Sequence, residues 1–212
     1  LKVQGGFVTV TAVNNGLRGA DSVQIEAGTL VISAGNDGIK SATTDKDGKG
    51  FITVSGGDVT VSASGDGIDA ATTLDITGGR LCVDALGDGV DASSKALKAE
   101  TSISISGGEL ELNSIDAAVR CVADVNISGG SINISSAADG IQAGKNINGF
   151  PSETGTATIS GGSLFISSAK RAIDAKDSLS ITGGTVFALS GAKKALEAEA
   201  DGQPYVSYKF SG

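Results

Sequence analysis

Residues 52–70 read ITVSGGDVTVSASGDGIDA. Apolar residues alternate with polar ones on both sides of a Gly-Gly pair, and an Asp-Gly step leads into Ile68. Strict alternation puts Ile52 and Val54, then Val59 and Val61, on one face of two short strands. The glycine pair between them supplies the backbone freedom of a sharp corner. Such a unit cannot bury its apolar face alone.

The unit recurs along the chain. Gly-Gly or a degenerate copy places its second glycine at 6, 28, 57, 79, 108, 130, 162 and 184. The spacings are 22, 29, 22, 29, 22, 32 and 22, so the reading is eight copies of 22 residues with an insertion in every second one. Aligned on that glycine, apolar residues fall five and three positions before it and two and four after it. An apolar row follows at eleven (Leu17, Ile39, Ile68, Val90, Val119, Ile141, Ile173), and a small row at thirteen (Ala70, Ala92, Cys121, Ala143, Ala175). Stacked copies turn each row into a continuous ladder. The expected fold is all-β: a right-handed, single-stranded parallel β-helix over residues 1–212. N-terminal coils or a cap are expected to be missing, and residues 198–212 to form a C-terminal cap. The insertions, read as 41–50, 92–101 and 143–156, are expected at one corner of the rod.

Composition narrows the function. The chain has 32 Gly, 2 Pro, no His and no Trp among 212 residues, and a net charge of −8. Without His the usual general base, serine-type triads and most zinc sites are gone. An acidic chain repels phosphate backbones, so nucleic acid is not an expected partner. No apolar run is long enough for a membrane-spanning helix, and a monomer is expected. Cys82 falls on an outward position and Cys121 on the inward small row, so two free thiols are expected. Phe165 and Phe187 fall on outward positions of neighbouring copies and should stack. PYVSYKF (204–210) is expected to fold over them as a cap, with an aromatic platform for sugar rings as the alternative.

The chemistry lies after the strands. Nine residues beyond the corner stand Asn15, Asp37, Asp66, Asp88, Ala117, Asp139 and Arg171; twelve beyond it stand Arg18, Lys40, Asp69, Asp91, Arg120, Gln142 and Asp174. This frame stacks Asp66 under Asp88 and Asp69 under Asp91, about 5 Å apart. Such pairs repel by about 0.8 kcal/mol in water and about 3 kcal/mol at an effective dielectric of 20. Ca²⁺, with hard oxygen ligands on opposite sides about 5 Å apart, suits that spacing. An Asp-Gly turn is the simpler account of one Asp per copy, but it leaves the second unexplained. The metal candidates are therefore Asp37, Asp66, Asp69, Asp88, Asp91 and Asp139. Lys40 and Arg120 flank the run, either as salt bridges ending the ladder or as binders of a ligand carboxylate.

NDGIK, GDGIDA, GDGVDA and ADGIQA, each following a strand pair about Gly-Gly, resemble the repeats of a secreted bacterial carbohydrate-binding β-helix family, similar in shape to polysaccharide lyase family 9. The resemblance implies an extracellular or cell-surface protein that binds Ca²⁺ and an acidic plant polysaccharide such as polygalacturonate, and also cellulose. It maps the calcium ligands onto Asp37, Asp66, Asp69, Asp88 and Asp91. Three functions stay open: non-catalytic, calcium-assisted polysaccharide binding; a lyase whose base is Lys40, Lys95 or Lys98 with a lowered pKa; and a purely structural rod.

Overall fold

A computed structural model describes residues 1–44, 47–87, 93–144, 155–200, 203–204 and 206–208. The chain forms a parallel β-helix. Among the described residues one sheet contains 15 strands and the other 9. The larger sheet has two faces. One holds the strands before the glycine corners, such as Phe51–Val54 and Thr73–Ile76, and the other those after them, such as Asp58–Ala63 and Arg80–Ala85. The faces join through Ser22–Ala34, which runs straight through its corner and pairs with strands of both faces, as Lys2–Ala12 runs through its own. The smaller sheet stacks three-residue strands such as Ile39–Ser41 and Ile68–Ala70.

The inward rows fill the core. Ile52, Val54, Val59, Val61 and Ile68 are completely buried, while counterparts in the end coils such as Val8, Leu17, Ile181 and Val186 are partly buried; each fully buried Val, Ile or Leu stabilises the fold by about 1.5–3 kcal/mol. The second glycine of the pair has a positive φ, for example 88° at Gly79, where a Cβ would also lie 2.8 Å from the carbonyl carbon of Gly56. Gly67, in the Asp-Gly step, does not bend the chain through a positive φ. It admits close packing: a Cβ there would sit 2.2 Å from Val83 Cγ1.

The register corrects one copy. The strand paired with Ile68–Ala70 on its C-terminal side is Leu97–Ala99, with Leu97 opposite Ile68 and Lys98 opposite Asp69. Leu97–Ala99 in turn pairs with Val119–Cys121. The places expected for Val90 and Ala92 thus belong to Leu97 and Ala99, both completely buried. Eleven residues separate Ala85 from Leu97, where four separate Ala63 from Ile68. This insertion therefore precedes the short strand, whereas the other two, between Ser41 and Phe51 and between Ala143 and Thr156, follow theirs. The three insertions do not share a corner. Asp88 and Asp91 lie outside the described residues.

Cys82 and Cys121 are free, and Cys121 is fully buried as the inward row requires. Phe165 and Phe187 stack with ring centroids 5.0 Å apart and 12° between planes. The expected cap over them is not formed by the described residues. Val206–Tyr208 instead pairs with Leu179–Ile181, on the face before the corner, and both rings stay about half exposed. Leu196–Ala200 continues the short-strand sheet beyond Ile173–Ala175.

Candidate functional site

The turn before four of the short strands places a polar side chain where it reaches the next coil, while Ala117 holds that position in another. Asn15 Oδ1 accepts the Asp37 amide at 3.2 Å, Asp37 Oδ1 the Asp66 amide at 3.0 Å, and Asp66 Oδ1 the Lys95 amide at 2.9 Å. Asp139 does the same for Arg171 at 2.8 Å. These side chains are rungs between coils, and a charge-assisted bond to a backbone amide fixes each of the three carboxylates, Asp37, Asp66 and Asp139, in place. Gly65 makes room for the rung, since a Cβ there would lie 2.7 Å from Asp37 Oδ1.

The outward residue of the short strand adds a further polar side chain per coil, charged in every one of the row but Gln142. Register aligns Lys40, Asp69, Lys98, Arg120, Gln142, Asp174 and Glu197 in one row. Lys40 Nζ lies 2.6 Å from Asp37 Oδ2 and 2.5 Å from Asp69 Oδ2. Lys98 Nζ lies 3.0 Å from Asp66 Oδ2 and 3.2 Å from Asp69 Oδ1. Lys95 Nζ sits 3.9 Å from Asp66 Oδ1 and 3.5 Å from Asp116 Oδ2, and donates to the Ser93 carbonyl. The expected stack of Asp over Asp is in fact Asp66 and Asp69 beside Lys95 and Lys98. Repulsion becomes attraction without any added ion.

The ladder continues towards the C-terminus. Arg120 Nη1 lies 3.2 Å from Asp116 Oδ2, and its Nε donates to Gln142 Oε1 at 2.7 Å. Gln142 Nε2 donates to Asp139 Oδ2 at 2.5 Å. Arg171 Nη1 meets Asp174 Oδ2 at 2.5 Å, and its Nε lies 3.4 Å from Glu197 Oε2. Arg120 is therefore engaged as a link of the ladder. Asp139 belongs to its own cluster with Gln142 and Arg171, three coils from Asp66. Asp116, Arg171 and Glu197 were not among the sequence candidates.

Asp37, Asp66 and Asp69 come together. All three are buried, and one oxygen from each lies within 4.8 Å of the others. They line a cleft of about 290 Å³ with Asn36, Lys40, Ser93, Ser94 and Lys98. The cluster can hold a metal ion, and the two ammonium groups now in it show that it accepts positive charge. Burial pushes the Asp66 carboxyl up, opposed by the charges of Lys98 and Lys95. Burial also draws the Lys40 and Lys98 ammoniums down, but their bonds to, and the charges of, the Asp partners outweigh it, so both end above the usual lysine value. A lysine base needs a shift in the other direction.

Two stretches of the chain, residues 1–140 and 125–209, match the model of a family described as carbohydrate-binding domain-containing protein. No match was found among curated proteins or solved structures.

Proposed function

The chain belongs to the carbohydrate-binding domain-containing family, and on that premise we propose that it binds an acidic polysaccharide of the polygalacturonate class, with Ca²⁺, without cleaving it. An extracellular or cell-surface location is part of the same proposal. The observation that supports this reading most is the convergence of Asp37, Asp66 and Asp69 on one cleft. Hard carboxylate oxygens spanning 4.8 Å suit ligands about 2.3–2.6 Å from a shared Ca²⁺. Bound there, the ion would supply a positive charge to a uronate carboxylate at the mouth of the cleft.

The residues of the chain set the terms. Asp37, Asp66 and Asp69 face Lys40 and Lys98, while Lys95 is shared between Asp66 at 3.9 Å and Asp116 at 3.5 Å. The Lys40 side chain is 28% exposed and that of Lys98 is 11% exposed, so Lys40 is the one able to swing outward. With Lys40 out, the charge facing the cation is more negative by one. Lys40 then presents its ammonium at the rim, where it meets a sugar carboxylate, while the exposed Asn36 offers hydrogen bonds to hydroxyls. Lys98 stays and keeps Asp66 and Asp69 oriented.

Calorimetric titration of oligogalacturonate into the protein tests the proposal. Saturable binding in Ca²⁺ that disappears in chelator, with no unsaturated product absorbing in the ultraviolet, is the expected result. Product formation establishes a lyase instead, and absence of binding in either buffer removes the reading.

A further inference from the structure

The end of the insertion that leads into Phe51 forms one wall of a separate cleft of about 240 Å³, lined by Gly48, Lys49, Phe51, Thr72, Thr73 and Thr101. The Asp37–Asp66–Asp69 cleft has an almost wholly polar lining, whereas this one is lined mostly by carbon. The two share no residue.

Hydrogen bonds hold the wall in place. The Gly50 amide donates to the Asp21 carbonyl at 2.5 Å. The Gly50 carbonyl accepts the Thr72 amide at 2.9 Å and the buried Ser41 hydroxyl at 2.6 Å. Thr72 Oγ1 donates to the Lys49 carbonyl at 2.7 Å. Gly50 has a φ of 76°, and a Cβ there would lie 2.0 Å from the Thr43 carbonyl oxygen, so the path of the wall requires glycine. A cleft anchored in this way is formed before any ligand arrives, which removes an ordering cost from binding.

Phe51 supplies an aromatic surface. It occupies the first outward position of its strand, where the other strands of that face have Ser22, Thr73, Ser102, Asp124, Thr156 and Ser178. Register sets Ser22 and Thr73 on either side of it. Neither is long enough to cover a phenyl ring, and Phe51 stays partly exposed. Lys49 is the one charged side chain among the lining residues. Its ammonium lies 3.8 Å from Asp21 Oδ1, with the two side chains 45% and 60% exposed. Such a loose surface pair gives way readily to an incoming anion.

We infer that this cleft binds a small planar aromatic carboxylate. The ligand ring packs against Phe51 and the threonine methyls, and its carboxylate takes a charge-assisted bond from Lys49. The hydroxyls of Thr73 and Thr101, which both donate and accept, meet further polar groups on the ring. In a chain of net charge −8, a lone lysine over an apolar lining is what admits an anion here. The site needs neither Ca²⁺ nor a polysaccharide.

Ligand-observed NMR titration with trans-cinnamate as the probe provides the test. The wild-type chain is expected to bind it saturably and equally with and without chelator. Cinnamamide keeps the ring and loses the charge, while hexanoate keeps the charge and loses the ring; each is expected to bind about tenfold more weakly or worse. Lys49→Gln and Phe51→Ser are each expected to weaken cinnamate binding by about tenfold or more. Phe51→Tyr, which preserves the ring, is expected to retain binding and so separates lost stacking from a folding defect. Absence of saturable cinnamate binding overturns the inference, and so does binding that survives both Lys49→Gln and Phe51→Ser, or that Phe51→Ser and Phe51→Tyr weaken equally. Tighter binding of monomeric galacturonate than of cinnamate, lost in Phe51→Ser, also overturns it by making the cleft a sugar contact. Each of these outcomes leaves the calcium-dependent oligogalacturonate titration to stand or fall separately, because that reading uses none of these residues.

Discussion

Lys98 stands in register beside Asp69, with its ammonium 3.2 Å from Asp69 Oδ1 and 3.0 Å from Asp66 Oδ2. This contact decides how the acidic repeat is tolerated. Two buried carboxylates that would repel a third and fourth in the next coil meet lysines instead, and the fold closes its own charge balance at this level.

Reversing that relationship makes the fold depend on a cation. Lys95→Asp/Lys98→Asp puts four carboxylates on adjacent coils, so about 3 kcal/mol or more of stability is expected to be lost in chelator. The corresponding fall in melting temperature is about 6–12 °C for a chain of this size. Millimolar Ca²⁺ is expected to restore much of it, since a ligand that binds only the folded state stabilises by mass action. Melting curves in chelator and in Ca²⁺, beside the wild type, provide the check. Indifference of the variant to Ca²⁺ removes the equivalence between lysine and cation.

The register itself is testable through the core. Leu97 is completely buried opposite Ile68, so Leu97→Ala is expected to cost about 2–5 kcal/mol in urea unfolding. Leu189→Ala, at a 47% exposed outward position, is expected to stay within about 0.5 kcal/mol. Comparable costs for the two would contradict the pairing of Leu97–Ala99 with Ile68–Ala70.

The fold was legible because each coil repeats its apolar rows, and these rows make the core. Copy four was misread for a physical reason. GDGVD (87–91) matches its neighbours in both charge and apolar pattern, while KALKA (95–99) matches DGIDA (66–70) only in its Leu and Ala, with both acids reversed to Lys. A spacing of 29 between glycine corners shows that seven residues are inserted but not where, because the entropy of loop closure hardly distinguishes the two sides of a short strand. Charge reversal between stacked copies is the signal that locates it: a carboxylate pair is best followed by an ammonium pair. Asp37, Asp66 and Asp69 were legible as a cluster. The amide rungs of Asp37, Asp66 and Asp139 were not, since they depend on register.

Thiol chemistry reports the two faces of the sheet. Burial pushes the Cys121 thiol up to about 12, and none of it is exposed. Burial, followed by Asp84 and Glu111, raises Cys82 as well, but that residue is partly exposed. Under native conditions at pH 8 a disulfide reagent is expected to titrate one thiol, slowly, and two after denaturation. Two native thiols of equal rate, or none after denaturation, would contradict the placement.

The pH dependence has a fixed sign on the alkaline side. Lys40 and Lys98 have pKa values in the folded chain above the ordinary 10.5, so the folded state binds protons more tightly there. Their contribution is complete below 10.5 and is lost as pH rises beyond it. Cys121, raised from 9.0, acts in the same direction from a lower pH, because only the unfolded chain forms its thiolate readily. Urea midpoints measured in chelator are therefore expected to fall above about pH 9 and more steeply above 10.5. Lys40→Gln is expected to lack part of the second fall. A stability that rises over this range would contradict both assignments.

The most direct test of the central claim, that Lys40 and Ca²⁺ compete for Asp37, Asp66 and Asp69, is the calcium affinity of Lys40→Gln beside that of the wild type, measured by calorimetry at neutral pH. Removing the exchangeable ammonium is expected to tighten calcium binding about tenfold, with the gain abolished by Asp66→Asn. Equal or weaker affinity in Lys40→Gln, or no calcium binding by either protein, contradicts the account.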